Sequence, residues 1–514
     1  MVASIGRAAA LAAGGSRQWP RRLPRAAAAA SRGASGGLQA FSRSVRPDYG
    51  YVRVGYVRVA LHKELRRVAE RGSQREVLTV FWRRLENAPG DEGSCRPQDL
   101  CACLGALVRC SPTGDAAEAA PLLRVCDRLE EFFHSLDVGE DDGRFFVDTL
   151  WAMARLAKGS PPLPAGVPAR FATLFTQGER LAREALARRR IGPRYVHLLA
   201  WAFAKAGAGT PAFWAALSGE ALDCLGGWDT SQYSTFLWSL ATARVRESQA
   251  TPALLTPLLA SDGEMLERCS EQDLSQVVWA VAALQQHSHR ELLTRAGPVV
   301  QRRIDDFALR GLIATTWAFA TMRERAPFAQ DLGRRLGTPR VWEKINVRSL
   351  ANLLWSLATL RHEAWYDGFF VSVVDLVIRP RTSIFSPFDI SQTLWAYTTV
   401  RVHHPPLFEA LTVRAVHLFS GFNSQALATS AWSCAKMRAG ASEFFEALAD
   451  APREKPTASW SPVDLVMSCW SLVEAGVVAA PLLSATAAEL RLRAGDFCDV
   501  DLATMTRVLR QDVG

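Results

Sequence analysis

One column of arginines and one column of amide and hydroxyl side chains recur along this chain at fixed spacing, and both could contact a charged polymer. Arg244, Arg323, Arg361, Arg401 and Arg438 each stand six residues after a tryptophan, with Gln285 in the same slot of one intervening copy. On a scaffold that repeats by translation, such a column becomes a row of guanidinium groups. A row of that kind can neutralise successive phosphates and release their counterions. The other reading is structural: a cation in the last turn of a helix gains about 0.3–1 kcal/mol from the macrodipole, and its stem can lie along apolar surface. Repetition alone does not separate the two. Gln276, Asn352, Gln392 and Thr429 stand three residues before their tryptophans. They are candidates to contact base edges, one base per repeat, and equally candidates to cap helices.

Other chemistry is sparse. Ten cysteines in 514 residues is far below the density of a disulfide scaffold, and no pair has the spacing of a zinc site. Cys95, Cys101, Cys103 and Cys110 crowd together, but on a helix Cys101 and Cys103 point about 200° apart, poor geometry for a chelate. His287, His289, His362, His403 and His404 gather in turns and read as solvated. No glycine-rich phosphate loop, metalloprotease helix or nucleophile elbow is present. The expectation is a binder rather than an enzyme, with no catalytic residue, no metal and no cofactor.

What positions the two columns is a repeat. The phrase LWAMARLAKG from Leu150 returns as AWAFAKAGAG, LWSLATARV, VWAVAALQ, TWAFATMRE, LWSLATLRH, LWAYTTVRV, AWSCAKMRA and CWSLVEAGV. Its tryptophans are Trp151, Trp201, Trp238, Trp279, Trp317, Trp355, Trp395, Trp432 and Trp470, at a period near 38. That length suits one helical hairpin per repeat. The residue after each tryptophan is Ala or Ser, and the next is Met153, Phe203, Leu240, Val281, Phe319, Leu357, Tyr397, Cys434 or Leu472. The first helix of each hairpin, helix A, is thus apolar on opposite sides and must be sandwiched. The tryptophans are expected as structural core, with a ladder of base-stacking indoles as the alternative. Helix A is expected to be capped by Asp99, Asp273, Ser349, Asp389, Asp464 and Asp501, six residues before the tryptophan slot, with Gln276 or Gln392 completing a capping box. The predicted fold is all-α, an α-solenoid of stacked helical hairpins over residues 99–514, preceded by a helical or irregular region over 48–98.

Composition sets the remaining bounds. Apolar residues at 49% and charged residues at 22% exclude wholesale disorder. No apolar run is long enough to span a membrane. The net charge of +9 is concentrated at the front: residues 1–47 hold eight arginines and no acid, so the rest of the chain is nearly neutral. An Arg-rich, acid-free, Ala/Ser/Gly-rich leader is predicted to be an organelle-targeting presequence, mitochondrial in preference to plastid.

The phrase Leu354-Trp355-Ser356-Leu357-Ala358-Thr359-Leu360, preceded by Ser349-Leu350-Ala351-Asn352-Leu353, resembles the helix-turn-helix units of the octotricopeptide and heptatricopeptide repeat proteins. It is also similar to the related repeats of the RNA-editing substrate-binding complex of trypanosome mitochondria. The resemblance covers roughly residues 99–514. It implies an α-solenoid that binds single-stranded organellar RNA in transcript stability, processing, editing or translation. Some members are components of mitochondrial ribosomes, so other subunits of an RNA-processing or ribosomal complex are implied as partners. Several members end in a RAP domain, and the residues after Trp470 offer no sign of one. The expected function is RNA binding along the solenoid surface. The alternatives are a protein scaffold within a mitochondrial ribosome or editing complex and, more remotely, an enzyme with a site among residues 48–98.

Overall fold

A computed structural model describes residues 56–87, 95–110, 116–136, 143–159, 162–260, 264–336, 345–361, 369–374, 378–477 and 480–511. The leader read in residues 1–47 lies outside them. Among the described residues there are α-helices and short 3-10 turns, and no strand. Two compact units divide the chain, one over Ser31–Ala296 and one over Gly297–Gly514.

The first unit carries α1 (Tyr56–Arg71), α2 (Gln74–Glu86), α3 (Pro97–Leu107), α4 (Ala119–Ser135), α5 (Arg144–Leu156), α6 (Val167–Ala187), α7 (Pro193–Ala206), α8 (Pro211–Cys224), α9 (Thr230–Ala243), α10 (Ala250–Leu259), α11 (Glu264–Arg268) and α12 (Glu271–Ala283). The division falls within α13 (Glu291–Arg302). The second unit carries α14 (Leu309–Met322), α15 (Ala329–Leu336), α16 (Val347–Leu360), α17 (Phe369–Val373), α18 (Pro387–Val400), α19 (Pro405–His417), α20 (Ser424–Met437), α21 (Ser442–Ala449), α22 (Pro462–Glu474), α23 (Ala480–Leu492) and α24 (Asp499–Gln511).

Each unit is an α-solenoid of two helical layers. In the first, α1, α3, α5, α7, α9 and α12 pack in succession as the A layer; in the second, α14, α16, α18, α20, α22 and α24 do so. The B helices α4, α6 and α8 stack in the same way, as do α19, α21 and α23. Residues 56–86, within the stretch expected to be helical or irregular, form a hairpin whose α1 packs on α3 as one A helix packs on the next.

Small residues set the A-helix spacing. The position after each tryptophan is fully buried, at 0–1% exposure from Ala152 to Ser471. Where it is serine, the hydroxyl donates back to the carbonyl four residues earlier, as Ser356 does to Asn352 at 2.6 Å and Ser433 to Thr429 at 2.7 Å. The polar group is thus satisfied inside its own helix, and the neighbour can approach to the 8–10 Å typical of close-packed helices. The next position holds the deepest side chains, among them Phe203, Phe319 and Tyr397.

The helix starts differ from the expectation. The caps lie nine residues before the tryptophan: Asp229, Ser270, Asn346, Ser386, Asn423 and Ser461, each accepting from the amide three residues on. Asp273, Ser349, Asp389 and Asp464 are therefore the third helical residue, and Gln276, Asn352 and Gln392 lie in the second turn, too far along to complete a capping box. The acid at the third position reaches back instead, as the Asp389 carboxylate accepts from the Ser386 amide at 3.0 Å.

That acid also joins repeats. Asp99 meets His62 Nε2 at 3.0 Å, Asp273 accepts from Ser234 Oγ at 2.6 Å, Asp389 pairs with Arg348 Nε at 2.6 Å, and Asp464 accepts from Ser424 Oγ at 3.0 Å. Every donor comes from the preceding A helix. A second inter-repeat tie runs from basic side chains at the ends of the B segments to carbonyls near the foot of the preceding A helix. Arg335 donates to Phe307 O at 2.9 Å, Arg381 to Ile345 O at 2.6 Å, Lys455 to Phe422 O at 2.9 Å and Arg493 to Trp460 O at 2.8 Å. These cations are committed to holding the stack together.

Candidate nucleic-acid interface

The arginine column is committed to nothing of the kind. The arginine is the left-handed C-terminal residue of α9, α14, α16, α18 and α20, and in four of these helices, α9, α14, α18 and α20, it closes a Schellman motif. Val245 N donates to Leu240 O at 2.9 Å and Arg244 N to Ala241 O at 3.2 Å; Glu324 to Phe319, Val402 to Tyr397 and Ala439 to Cys434 repeat the outer bond. The φ angles are 62° at Arg244, 56° at Arg323, 51° at Arg361, 59° at Arg401 and 48° at Arg438, with Gln285 at 57°. Gly207 and Gly476 fill the same position in two other copies, at 75° and 72°.

The magnitudes decide between the two readings of the column. A Cβ in the left-handed region costs roughly 1–2 kcal/mol, and glycine is the usual occupant. The macrodipole returns about 0.3–1 kcal/mol, and a cation one or two residues earlier gains it without strain, as Lys436 can on α20. Helix-end electrostatics therefore does not account for arginine here. All five side chains are exposed, and none forms an ion pair among the described residues. In the second unit Arg323, Arg361, Arg401 and Arg438 occupy four successive repeats, so consecutive A-helix ends carry a continuous row. In the first unit Arg244 stands between Gly207 and Gln285.

The tryptophans lie beside this rim. Trp151, Trp201, Trp355 and Trp432 are 6–9% exposed, whereas Trp238, Trp279, Trp317, Trp395 and Trp470 are half-buried. They form the outer border of the core rather than its centre, which belongs to the next position along. Their rings make ladders: Trp151 to Trp201 at 6.0 Å, Trp201 to Trp238 at 6.4 Å, and Trp355 to Trp395 at 6.2 Å between centroids. A base sandwiched between two indoles needs about 7 Å, twice a van der Waals contact. The ladder is therefore closed to intercalation and presents edges. Cations lie on two of the rings, Arg155 over Trp151 at 5.1 Å and Lys436 over Trp470 at 4.8 Å.

Three residues before the tryptophan lie the four polar candidates. Gln276 is buried, while Asn352, Gln392 and Thr429 are half-exposed on the same side as the indoles. The side-chain oxygens of Gln276 and Gln392 are buried without a partner. No side-chain hydrogen bond is made by Asn352 among the described residues. The structure thus gathers Asn352, Gln392 and Thr429 with Trp355, Trp395 and Trp432 and with Arg361, Arg401 and Arg438 in three adjacent repeats. The sequence places these arginines at helix ends but gives no sign of their left-handed conformation, because backbone strain leaves no mark in residue type unless glycine is present.

Burial accounts for the titratable groups of the interior. It pushes the thiols of Cys110, Cys126 and Cys224 up to about 11, which leaves them poor nucleophiles at neutral pH. His197, buried against Trp228, is driven down to about 4 by desolvation, opposed by the nearby Asp229 carboxylate. Among the described residues no cluster of His, Cys, Asp and Glu is placed to hold a metal ion, and no helix is long and apolar enough to cross a membrane.

No known family profile matches the chain, and no curated protein does. Among solved structures, a chain from a homology model of the full-length AP-3 complex in an intermediate open conformation aligns over 100% of both chains. The identity is 9% and the TM-score 0.26, too low to carry an argument.

Proposed function

We propose that this is an organellar RNA-binding helical-repeat protein, acting in post-transcriptional RNA metabolism by holding single-stranded RNA along the A-helix surface. The observation that carries this reading is the row of four exposed arginines in successive repeats of the second unit, each in a left-handed conformation that glycine would adopt at lower cost. A residue kept against its backbone preference, repeatedly and facing water, is kept for what its side chain contacts. An evenly spaced guanidinium row suits a polyanion of regular pitch. The indole edges and the half-exposed amides beside it offer apolar surface and hydrogen-bonding groups to bases. The acid-free, arginine-rich leader supports import into an organelle, the mitochondrion first.

The test is fluorescence anisotropy with an unstructured RNA of about ten nucleotides, one per repeat, across a range of salt. Replacing Arg323, Arg361, Arg401 and Arg438 together by Gly should lower the slope of log affinity against log salt by about 3, roughly 0.7 per lost phosphate contact. A slope unchanged by the four substitutions removes the row from RNA binding. Absence of RNA binding by the unsubstituted protein overturns the reading and leaves the row to an acidic protein partner.

A further inference from the structure

We propose that α16 and α18 form a base-reading centre that selects adenine at two adjacent nucleotides, through the carboxamides of Asn352 and Gln392. This inference rests on the RNA-binding reading and adds to it a specificity that the arginine row does not supply. Phosphate contacts fix register, while groups that reach base edges choose sequence.

In the second unit, the position three residues before the tryptophan is Ala314, Asn352, Gln392, Thr429 and Met467 in successive repeats. Ala314 and Met467 have no side-chain hydrogen-bonding group to offer a base, and a single hydroxyl such as that of Thr429 discriminates weakly. The two carboxamides therefore stand together, flanked by positions that read little or nothing. Each lies one turn from its indole, and the two indoles, Trp355 and Trp395, are packed ring against ring at 6.2 Å. Each also has an exposed arginine, Arg361 or Arg401, at the end of its own helix.

Neither carboxamide is engaged elsewhere. Asn352 makes no side-chain hydrogen bond among the described residues, and the Gln392 Oε1 atom is buried with no partner. An orphaned acceptor raises the energy of the unbound state, so turning the Gln392 amide outward onto a base breaks no existing bond. Contrast Arg348, on the same face two turns before Trp355: its guanidinium is held by Asp389 at 2.6 Å and donates to Ser386 Oγ at 3.0 Å. The two carboxamides thus have hydrogen bonds still to make.

A carboxamide presents one donor and one acceptor side by side. Adenine offers the complement, an N6 amine next to a ring-nitrogen acceptor, and Asn or Gln paired to adenine in this bidentate way is the recurrent match. The closed indole ladder excludes intercalation, so the base is read at its edge while its phosphate lies toward the arginine rim.

The test compares decamer RNAs of unstructured sequence, at one fixed salt concentration, that differ only in carrying AA or UU at each dinucleotide step. Binding should be about thirtyfold tighter per adenine at a single register, the middle of the range for a bidentate contact. Two variants keep the assay free of folding failure, because each installs a residue that this same column already carries: Asn352→Ala and Gln392→Met. The double variant should bind AA and UU decamers equally while retaining the wild-type salt slope. Equal affinity of the wild-type protein for both decamers, or a preference for AA that survives in the double variant, overturns the base-reading centre. Either result can occur with the arginine-dependent salt slope intact, which keeps failure here distinct from failure of RNA binding itself.

Discussion

An arginine in the left-handed region separates what a residue does for the fold from what it does for a ligand. At Arg361, φ is 51°, and replacement by glycine removes the Cβ clash while giving the unfolded chain more freedom. The net expected for Arg361→Gly is a gain of about 0.5–1 kcal/mol in stability together with weaker RNA binding. Chemical denaturation with both proteins checks it; a loss of stability would show that the side chain holds the turn. His197 provides the second residue-level expectation. Its imidazole falls from 6.5 to about 4 because burial penalises the charged ring, so the unfolded chain takes up a proton near pH 6.5 and the folded chain does not. Stability is therefore complete above pH 6.5 and declines as pH falls toward 4, by up to about 3 kcal/mol. His197→Leu should flatten that part of the stability profile in urea titrations, and an unchanged profile would assign the acid sensitivity elsewhere.

At the scale of the helix, the slot at the third residue explains both what the sequence made legible and what it hid. Tryptophan spacing, the Ala or Ser beside each ring and the apolar residue after it are enough to derive the two-layer hairpin, since the two positions after each tryptophan are buried to within 1%. Helix starts were misplaced by one turn because a cap and the acid three residues later are chemically alike, and only geometry tells which side chain accepts from which amide. The link from each acid to the preceding A helix joins residues about 40 apart and has no local signature. The exception to that link is instructive. Arg310 on α14 lies one repeat before Arg348, yet the third residue of the following helix, α16, is Ser349, and the Arg310 Nη1 atom is buried without a partner. Burial holds its guanidinium below the usual arginine range. Ser349→Asp should supply the missing carboxylate and stabilise by about 1–2 kcal/mol, a hydrogen bond to a charged group. A double-mutant cycle with Arg310→Met measures the coupling, and a value near zero would mean that the two ends do not meet.

Across the whole molecule, the decisive quantity is where the charge lies rather than how much there is. Eight of the net +9 charges belong to residues 1–47, so under the proposed function two sources of salt-dependent RNA affinity would compete, the arginines of the leader and the rims of the A layers. They differ in arithmetic. A tail that contacted one phosphate per arginine would add about 5–6 to the salt slope, whereas the four-arginine row of the second unit adds about 3. They differ also in what they read, because a tail binds any polyanion, whereas the row places a strand beside fixed indoles and amides. If the A layer is the binding surface, a chain beginning at residue 48 keeps the AA over UU preference and the part of the slope that the four Arg→Gly substitutions abolish. The expected result for that shortened chain is a slope of about 3 that falls to near zero in the quadruple variant. A shortened chain with no salt-dependent RNA affinity would move the binding to the leader, and the strained arginines would then need a protein surface to explain them.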